Sequence, residues 1–509
     1  MNNKKDLPNG RSFSNDKNLS KYLIPQSGQN FKSMSKITDI PDNKQVARVG
    51  FAENFQIFER IINLISKVNF RKLAGKDFVD DEAKKIGQKH HLIICVEHLI
   101  KIANGAGYDI SKYQGSIYVY NGSFWQLSND EDLKDLLGKV AEKMGIDRYN
   151  ARFYDFKEKL FKQFISSARL KEVLKPKDSV LINLLNGTFE INAKNQKLRD
   201  FKKSDFITYQ LPFNYDQKAE CPLFMTYLNK VLPDTGLQDI LAEYMGYVFV
   251  KHLKLEKALL LYGSGANGKS VFFEVMNAIL GTQNVTNYSL QSLSNEAYRA
   301  NLANKLLNYG SEIKSGLQSD IFKLLVSGEP VDAKPLYKQP FIMNDYAKLM
   351  FNCNELPKEV EHTDAYFRRF LIIPFEVTIP ENERDSQLPK KIINSELSGV
   401  FNWILKGLNR IVANAKFTDS EHTANILNKY RNESDSVFQF LLEGDYTPDA
   451  KSVIKLAEMY GDFSKYCTNS GYRALNLKHF QERLEKKGFR IDKRNVGKVV
   501  FCKKYNDLT

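Results

Sequence analysis

Cysteine is scarce and scattered in this chain: five in 509 residues (Cys95, Cys221, Cys353, Cys467 and Cys502), with no C-x-x-C pair. That spacing argues against a zinc site and offers no disulfide framework. It fits a reducing compartment, so a cytoplasmic location is expected. His90-His91 has no third ligand near it in sequence and reads as a solvated helix end. No apolar run approaches the roughly 18 residues that a membrane-spanning helix requires, so no membrane partner is expected. The first residues lack the apolar core of a secretory signal. There is no internal repeat. Biased composition is confined to residues 1–45, which are rich in Asn, Lys, Ser, Asp and Gln. Such a segment has too little apolar surface to build a core and is expected to be a disordered or flexible arm.

Acidic residues are also in deficit. The chain has 74 Lys and Arg against 60 Asp and Glu, a formal net charge of +14. The excess is concentrated in residues 470–505, where eleven Lys/Arg face three Asp/Glu, a net +8. A polyanionic partner is implied, most often nucleic acid.

The most specific motif is Gly263-Ser264-Gly265-Ala266-Asn267-Gly268-Lys269-Ser270. The apolar run Lys257 to Tyr262 precedes it and reads as a buried strand. Val271 to Leu280 follows as an apolar-faced helix stopped by Gly281. This is G-x-x-x-x-G-K-[ST] in its strand–loop–helix setting. Glycines let successive backbone N–H groups converge on an anion, and the helix N-terminus adds partial positive charge. Lys269 is expected on the phosphates of ATP and the Ser270 hydroxyl on Mg²⁺.

A length of 509 residues accommodates roughly three domains. After the arm, residues 46–220 read as mainly helical with two hairpins, Ile117 to Trp125 around Asn121-Gly122 and Val180 to Ile191. Phe55, Ile57, Phe58, Ile61, Ile62 and Ile65 recur at helical spacing. The aromatic-rich first hairpin reads as core, with a nucleic-acid stacking surface as the alternative. Residues 221–380 form the nucleotide-binding core, 381–440 a helical lid or connector, and 441–509 a separate small unit.

Further chemistry lies within the core. A P-loop needs an acidic group on a neighbouring strand to hold Mg²⁺ and polarise water. Lys305 to Ile313 supplies a strand ending in Glu312. Lys348 to Asn354 is a further strand, whose terminal Asn354 could orient water or sense the γ-phosphate. Arg368 and Arg369 stand immediately before a fourth strand, where a cation can stabilise charge on a neighbouring subunit's triphosphate. Lys334, Tyr337 and Lys338 sit close together on a hairpin within Lys323 to Phe341, a combination of cations and aromatic that suits strand gripping.

This order of motifs resembles a superfamily 3 helicase. More narrowly, the chain is similar to the helicase half of the phage/plasmid primase–helicase family, which is related to the poxvirus helicase–primase. The resemblance rests on LNGTFEI, YDQKAECP, YGSGANGKS, FKLLVSGEPVDAK, YKQPF, KLMFNCNELP and FRRFLIIPF, across roughly residues 90–440. It implies an α/β fold: an AAA+-type P-loop core with a helical N-terminal domain. It also implies a ring, usually hexameric, with ATP at subunit interfaces and a basic hairpin in the channel. Carried over, Lys269 and Ser270 bind phosphate and Mg²⁺, Glu312 is the second-motif acid and Asn354 the sensor. Lys334 and Lys338 grip single-stranded DNA, and Arg368 or Arg369 is the arginine finger. Two departures stand out. Ser311 precedes Glu312 where many relatives have a second acid. D-x-D occurs once in residues 1–180, at Asp130-Glu131-Asp132, but no primase domain is evident, and priming is assigned to a separate primase or polymerase partner.

At the C-terminus, Ser452 to Cys467 and Asn476 to Lys487 read as helices, the second with Leu477, Phe480 and Leu484 inward. Phe489 to Lys503 reads as a hairpin. Lys478 and Arg483 on the helix and Lys493, Arg494 and Lys498 on the hairpin would make a winged-helix-like unit touching duplex DNA. The function expected is an ATP-dependent replicative DNA helicase of a mobile element. The alternative is an origin-binding initiator whose ATPase acts as an assembly switch. A small-molecule kinase would leave the basic tail unexplained.

Overall fold

Helical periodicity and short hairpins build the N-terminal part of the chain, in a computed structural model that describes residues 54–113, 116–168, 179–311, 319–336, 339–356 and 361–504. The expected N-terminal arm, Glu312, Tyr337 and Lys338 lie outside the described residues. α1 (Asn54–Leu64) buries Ile57, Phe58, Ile61 and Ile62. It packs with α2 (Gln88–Gly105) and α3 (Asp130–Met144), both of which pack against α4 (Tyr154–Ser167). The Asn129 side chain caps α3 by accepting the Asp132 N–H, and left-handed Gly145 ends it. Between α2 and α3 lies the antiparallel sheet β1 (Asp109–Tyr113), β2 (Ser116–Tyr120) and β3 (Trp125–Ser128). The predicted hairpin is present, with Asn121 Oδ1 accepting the N–H groups of Ser123 and Phe124 at 2.9 Å each. Tyr118, Tyr120 and Trp125 are buried, so this aromatic run is core. The second predicted hairpin is β4 (Val180–Leu184) and β5 (Gly187–Ile191), extended by β6 (Gln196–Arg199).

α5 (Pro222–Val231) and α6 (Thr235–Tyr247) lead into β7 (Ala258–Tyr262) and α7 (Lys269–Leu280). Then come β8 (Val285–Thr286), β9 (Leu307–Ser311), α8 (Ser319–Ser327), the hairpin β10 (Val331–Ala333) and β11 (Phe341–Met343), β12 (Lys348–Cys353) and β13 (Phe370–Pro374). Five of these strands form a sheet in the order β13-β7-β12-β9-β8, with every pairing parallel. The apolar sequences of β7 and β13 are those of strands covered on both faces. The architecture is mixed α/β, a parallel sheet combined with helices. Among the described residues no helix is long and apolar enough to cross a membrane.

α9 (Leu388–Ser395), α10 (Leu397–Asn414), α11 (Glu421–Glu433) and α12 (Ser436–Glu443) follow. The carboxylate of Glu396 accepts the N–H groups of Leu223 and Phe224 at 2.9 Å each, capping α5 from far along the chain. Glu243 of α6 is fully buried and accepts from Arg410 Nε at 2.7 Å and from the Thr418 N–H at 2.8 Å. α6 and α10 cross so closely that a Cβ on Gly407 would lie 2.2 Å from the backbone of Ala242.

The C-terminal elements are β14 (Tyr446–Lys455), α13 (Leu456–Ser470), α14 (Leu477–Lys486), β15 (Ile491–Arg494) and β16 (Gly497–Lys504), with sheet order β14-β16-β15. Two expectations are corrected here. Residues 452–455 are strand, because β14 continues its pairing with β16 past a bulge between Pro448 and Val453. Leu477 is 42% exposed, and only Phe480 and Leu484 face the core.

Two glycine substitutions separate close packing from helix propensity. Gly407→Ala should lower stability by about 1–3 kcal/mol, because the added methyl meets backbone. Gly461→Ala, inside α13 with nothing within 4 Å of its Cβ, should raise stability by about 0.5–1 kcal/mol. Thermal unfolding of the two variants should shift in opposite directions.

Candidate functional site

Parallel pairing brings the C-terminal ends of β7, β12 and β9 to one edge of the sheet. The residues after β7 turn there into α7, in the strand–loop–helix expected. The Gly263 N–H donates to the Cys353 carbonyl at 3.1 Å, and the Phe375 N–H donates to the Tyr262 carbonyl at 2.6 Å. A Cβ on Gly263 would sit 2.2 Å from Asn267 Nδ2 and 2.3 Å from the Phe375 carbonyl oxygen, so no larger residue fits. Asn267 Nδ2 donates to that same carbonyl at 2.9 Å. Tyr227 anchors the loop by donating to the Gly268 carbonyl at 2.8 Å. Gly265, Ala266 and Gly268 have positive φ, and Ser264 and Ser270 are exposed.

Lys269 is 6% exposed. Its amine donates to the Gly263 carbonyl at 2.6 Å and to Asn267 Oδ1 at 2.9 Å. Both acceptors are neutral, and burial lowers its pKa. A buried ammonium with neutral partners gains strongly from an arriving anion.

The strand that would carry the acid is not beside β7. β12 pairs with both β7 and β9 and so separates them. β9 ends at Ser311, and Glu312 lies outside the described residues. The immediate neighbour is therefore the Asn354 strand. Asn354 is exposed, one residue past Cys353, whose carbonyl holds the first P-loop glycine. Tyr309 ties β9 to β12 by donating to Asn352 Oδ1 at 2.7 Å.

Arg368 and Arg369 occupy the opposite edge. Phe370 pairs with Ala258, so the two arginines precede the N-terminal ends of β13 and β7, whereas the P-loop follows the C-terminal end of β7. The pair divides sharply. Arg369 is 8% exposed, donates to the Ala365 carbonyl and reaches Ser327 Oγ at 3.0 Å. The Arg368 side chain is 60% exposed and meets Glu256 at 2.9 Å. Of the two, Arg368 is the one at the surface.

The predicted hairpin exists but starts later than expected. Lys323 belongs to α8, where it pairs with Glu361 at 2.9 Å, and the hairpin runs from Val331 to Met343. Buried Arg299 fastens β10 through the carbonyl and carboxylate of Asp332 at 2.8 and 3.0 Å. Lys334 is exposed just past β10.

At the C-terminus Lys478, Lys493, Arg494 and Lys498 are exposed. Lys498 donates to Gln481 at 2.8 Å, and Arg494 lies over the Phe501 ring. Arg483 is differently engaged. It pairs at 3.0 Å with buried Asp435, which Lys487 also approaches at 3.3 Å. Asp435 caps α12 through the N–H groups of Val437 and Phe438. His362 Nε2 lies 2.7 Å from the Ser434 carbonyl, which requires that nitrogen to carry the proton. Sequence reasoning missed the basic loop Lys251, His252 and Lys254, which is hidden inside an otherwise apolar stretch. Among the described residues no group of three metal-ligating side chains occurs.

Known proteins share parts of this arrangement. Residues 99–233 match a family described as D5 N terminal like. Residues 261–369, from the end of β7 through the arginine pair, match DUF5906, a family of unknown function. A helicase-named protein, L207/L206 of Acanthamoeba polyphaga mimivirus, is 26% identical over 211 residues, covering 39% of this chain and 22% of its own length. Another, 121R of Invertebrate iridescent virus 3, is 23% identical over 333 residues, covering 57% and 35%. Parts of the chain are thus similar to a D5 N terminal like family and to viral proteins named as helicases. The chain spans about a fifth to a third of the length of these curated relatives. Two structures of the NrS-1 C-terminal region align with 79% of it, at 13% and 12% identity and TM-scores of 0.45 and 0.46.

The His362–Asp435 junction carries a pH prediction. Burial, followed by the Arg483 charge, pulls His362 down to about 4 from an ordinary value near 6.5. Burial opposes charge on Asp435, yet Arg483, His362 and Lys487 hold its pKa below the usual carboxylate range. A lowered folded-state pKa means that each contribution is complete above the unfolded value and fades as pH falls toward the folded one. The melting temperature should therefore fall as pH drops from about 6.5 to 4. His362→Gln should flatten that part of the profile.

Proposed function

We propose that this chain is an ATP-driven DNA helicase working as a ring, with an AAA+-type core and a winged-helix-like C-terminal unit. One observation carries the reading. A buried lysine in a phosphate-shaped loop stands at one end of β7, and an exposed arginine stands beside the other end, beyond reach of that loop. Such a subunit can bind a triphosphate with one face and serve its neighbour's with the opposite face. That arrangement suits a closed ring, a homo-hexamer by resemblance. The helicase names of the viral relatives point the same way.

The loop fits the nucleotide. Gly263 is pinned where no side chain fits, and Lys269 has only neutral partners to give up. Ser270, exposed at the first turn of α7, would take Mg²⁺ together with Glu312. Bound ATP would supply the free energy, and Mg²⁺ would offset phosphate charge. The chain's own residues hold and orient: Lys269 on the phosphates, Asn354 on water at the shared edge, Arg368 toward the neighbour. Lys334, with Tyr337 and Lys338, would follow a single strand in the channel. Exposed Lys478, Lys493 and Lys498 would hold duplex phosphates, whereas Arg483 chiefly secures the unit to Asp435.

Lys269→Ala should reduce ATP turnover by about 100- to 1,000-fold and abolish strand displacement on forked DNA. Undiminished turnover by the folded variant would remove the P-loop from the function. DNA-stimulated turnover by the wild type without strand displacement would replace the helicase by an assembly switch. In the C-terminal unit, Lys478→Ala with Lys493→Ala should lower the salt slope of duplex binding by about 1.8, near 0.9 for each phosphate no longer neutralised. Arg483→Ala should instead lower the melting temperature.

A further inference from the structure

The DNA-tracking role proposed for the hairpin leaves a large feature beside it unused. A chamber of about 1160 Å³ opens between the N-terminal sheet, the β4 region and the inner flank of the β10–β11 hairpin. Its hairpin side is formed by Pro335, Pro340, Phe341 and Ile342, and Tyr113 and Leu127 line it from the N-terminal sheet. The volume exceeds that of an ordinary small-ligand pocket. It is too small to admit a duplex.

Three observations bear on what enters it. First, four lysines gather where the chamber meets a smaller adjoining pocket. Lys251, Lys305 and Asp345 line both, the smaller pocket adds Lys254 and Lys348, and the chamber's lining also includes Asp130 and Asp205. Burial lowers the pKa of Lys305 and brings Lys348 down to about 8, as expected of cations crowded away from water. Second, large apolar side chains on its walls are solvent-accessible: Leu127 is 60% exposed and Ile342 58%. Apolar surface rimmed by polar groups marks an interaction site. Third, two wall residues other than glycine hold left-handed backbone, Phe206 at φ 47° and Asn304 at φ 59°. Asn304 Nδ2 donates to Tyr118 at 3.0 Å across the chamber wall. Strain of this kind persists where surrounding structure enforces it, often at ligand sites.

We propose that this chamber is a second contact site for single-stranded nucleic acid, distinct from the hairpin tip. Phosphates would lie toward Lys251 and Lys254, within the field of Lys305 and Lys348. Bases would lie against Tyr113, Leu127, Phe341 and Ile342. Cations that track a backbone beside flat or apolar surfaces that accept any base are what sequence-independent single-strand binding uses. A duplex partner would leave the apolar walls unfilled, and a small apolar ligand would make no use of the lysine charge. The strand would then touch the N-terminal sheet and the hairpin together, which joins the D5 N terminal like segment to the hairpin. The proposal rests on the helicase reading.

The test uses the full chain with a photo-crosslinking residue, p-benzoylphenylalanine, at Leu127 in the chamber, at Leu336 on the hairpin, or at exposed Tyr149, which does not line the chamber. An oligo(dT) strand of about 20 nucleotides is the probe. Crosslinking is expected at 127 and 336 and absent at 149. In parallel, Lys251→Ala with Lys254→Ala should lower the salt slope of oligo(dT) binding by about 1.4, near 0.7 for each phosphate of a single strand no longer neutralised. Circular dichroism checks that each variant is folded. Crosslinking at 336 alone, with an unchanged salt slope, would overturn the chamber site and leave the helicase reading intact. No oligo(dT) binding by the unmodified protein would overturn both.

Discussion

Parallel pairing of β7 with β12 on one side and β13 on the other is the constraint on which the rest of the molecule depends. Parallel strands have their C-terminal ends at one edge, so the P-loop, Asn354 and the end of β9 must meet there. The same geometry sends the residues that precede β13 to the opposite edge. β7 is five residues long and apolar throughout its buried length, which makes it a rigid spacer between two sets of charges. Gly263 and Phe375 lock its C-terminal end. Glu256, in left-handed backbone two residues before the strand begins, holds both arginines at the other.

Buried charge elsewhere joins elements that are far apart in sequence. Glu396 caps α5, Glu243 ties α6 to Arg410 and Thr418, and Asp435 ties α12 to Arg483 and Lys487. Each carboxylate receives at least two donors, which offsets the penalty of removing it from water. The consequence for function is positional. The helices that carry the sheet and the C-terminal elements that carry exposed lysines have fixed partners.

Much of this is legible in the sequence, for stateable reasons. The P-loop with its strand and helix, both early hairpins, and the strands around residues 258–262, 348–353 and 370–374 are local patterns: apolar runs bounded by Gly, Asn or Pro. What is not legible depends on partners distant in the chain. Strand order is absent from local pattern, so nothing in the sequence signals the insertion of β12 between β7 and β9. Arg368 and Arg369 are the same residue type side by side, and only Ser327 and Ala365 decide that the second is buried. Arg483 resembles a surface cation in sequence because its partner Asp435 lies 48 residues upstream. β14 reads partly as helix because its sequence is mostly exposed and polar, and its strand character comes from pairing with β16. The lysines of the chamber are masked by the apolar residues among which they stand.

The central claim is that the two ends of β7 serve two different triphosphates, one held by the subunit itself and one by its neighbour. Mixing Lys269→Ala subunits with Arg368→Ala subunits tests it most directly. Each variant alone should be inactive in ATP turnover, while mixed rings contain some interfaces with an intact loop and an intact arginine. The account predicts that turnover rises above the sum of the separate variants and passes through a maximum as the mixing ratio is varied. Mixed rings, demonstrated by co-purification of differently tagged subunits, that never exceed that sum would contradict it.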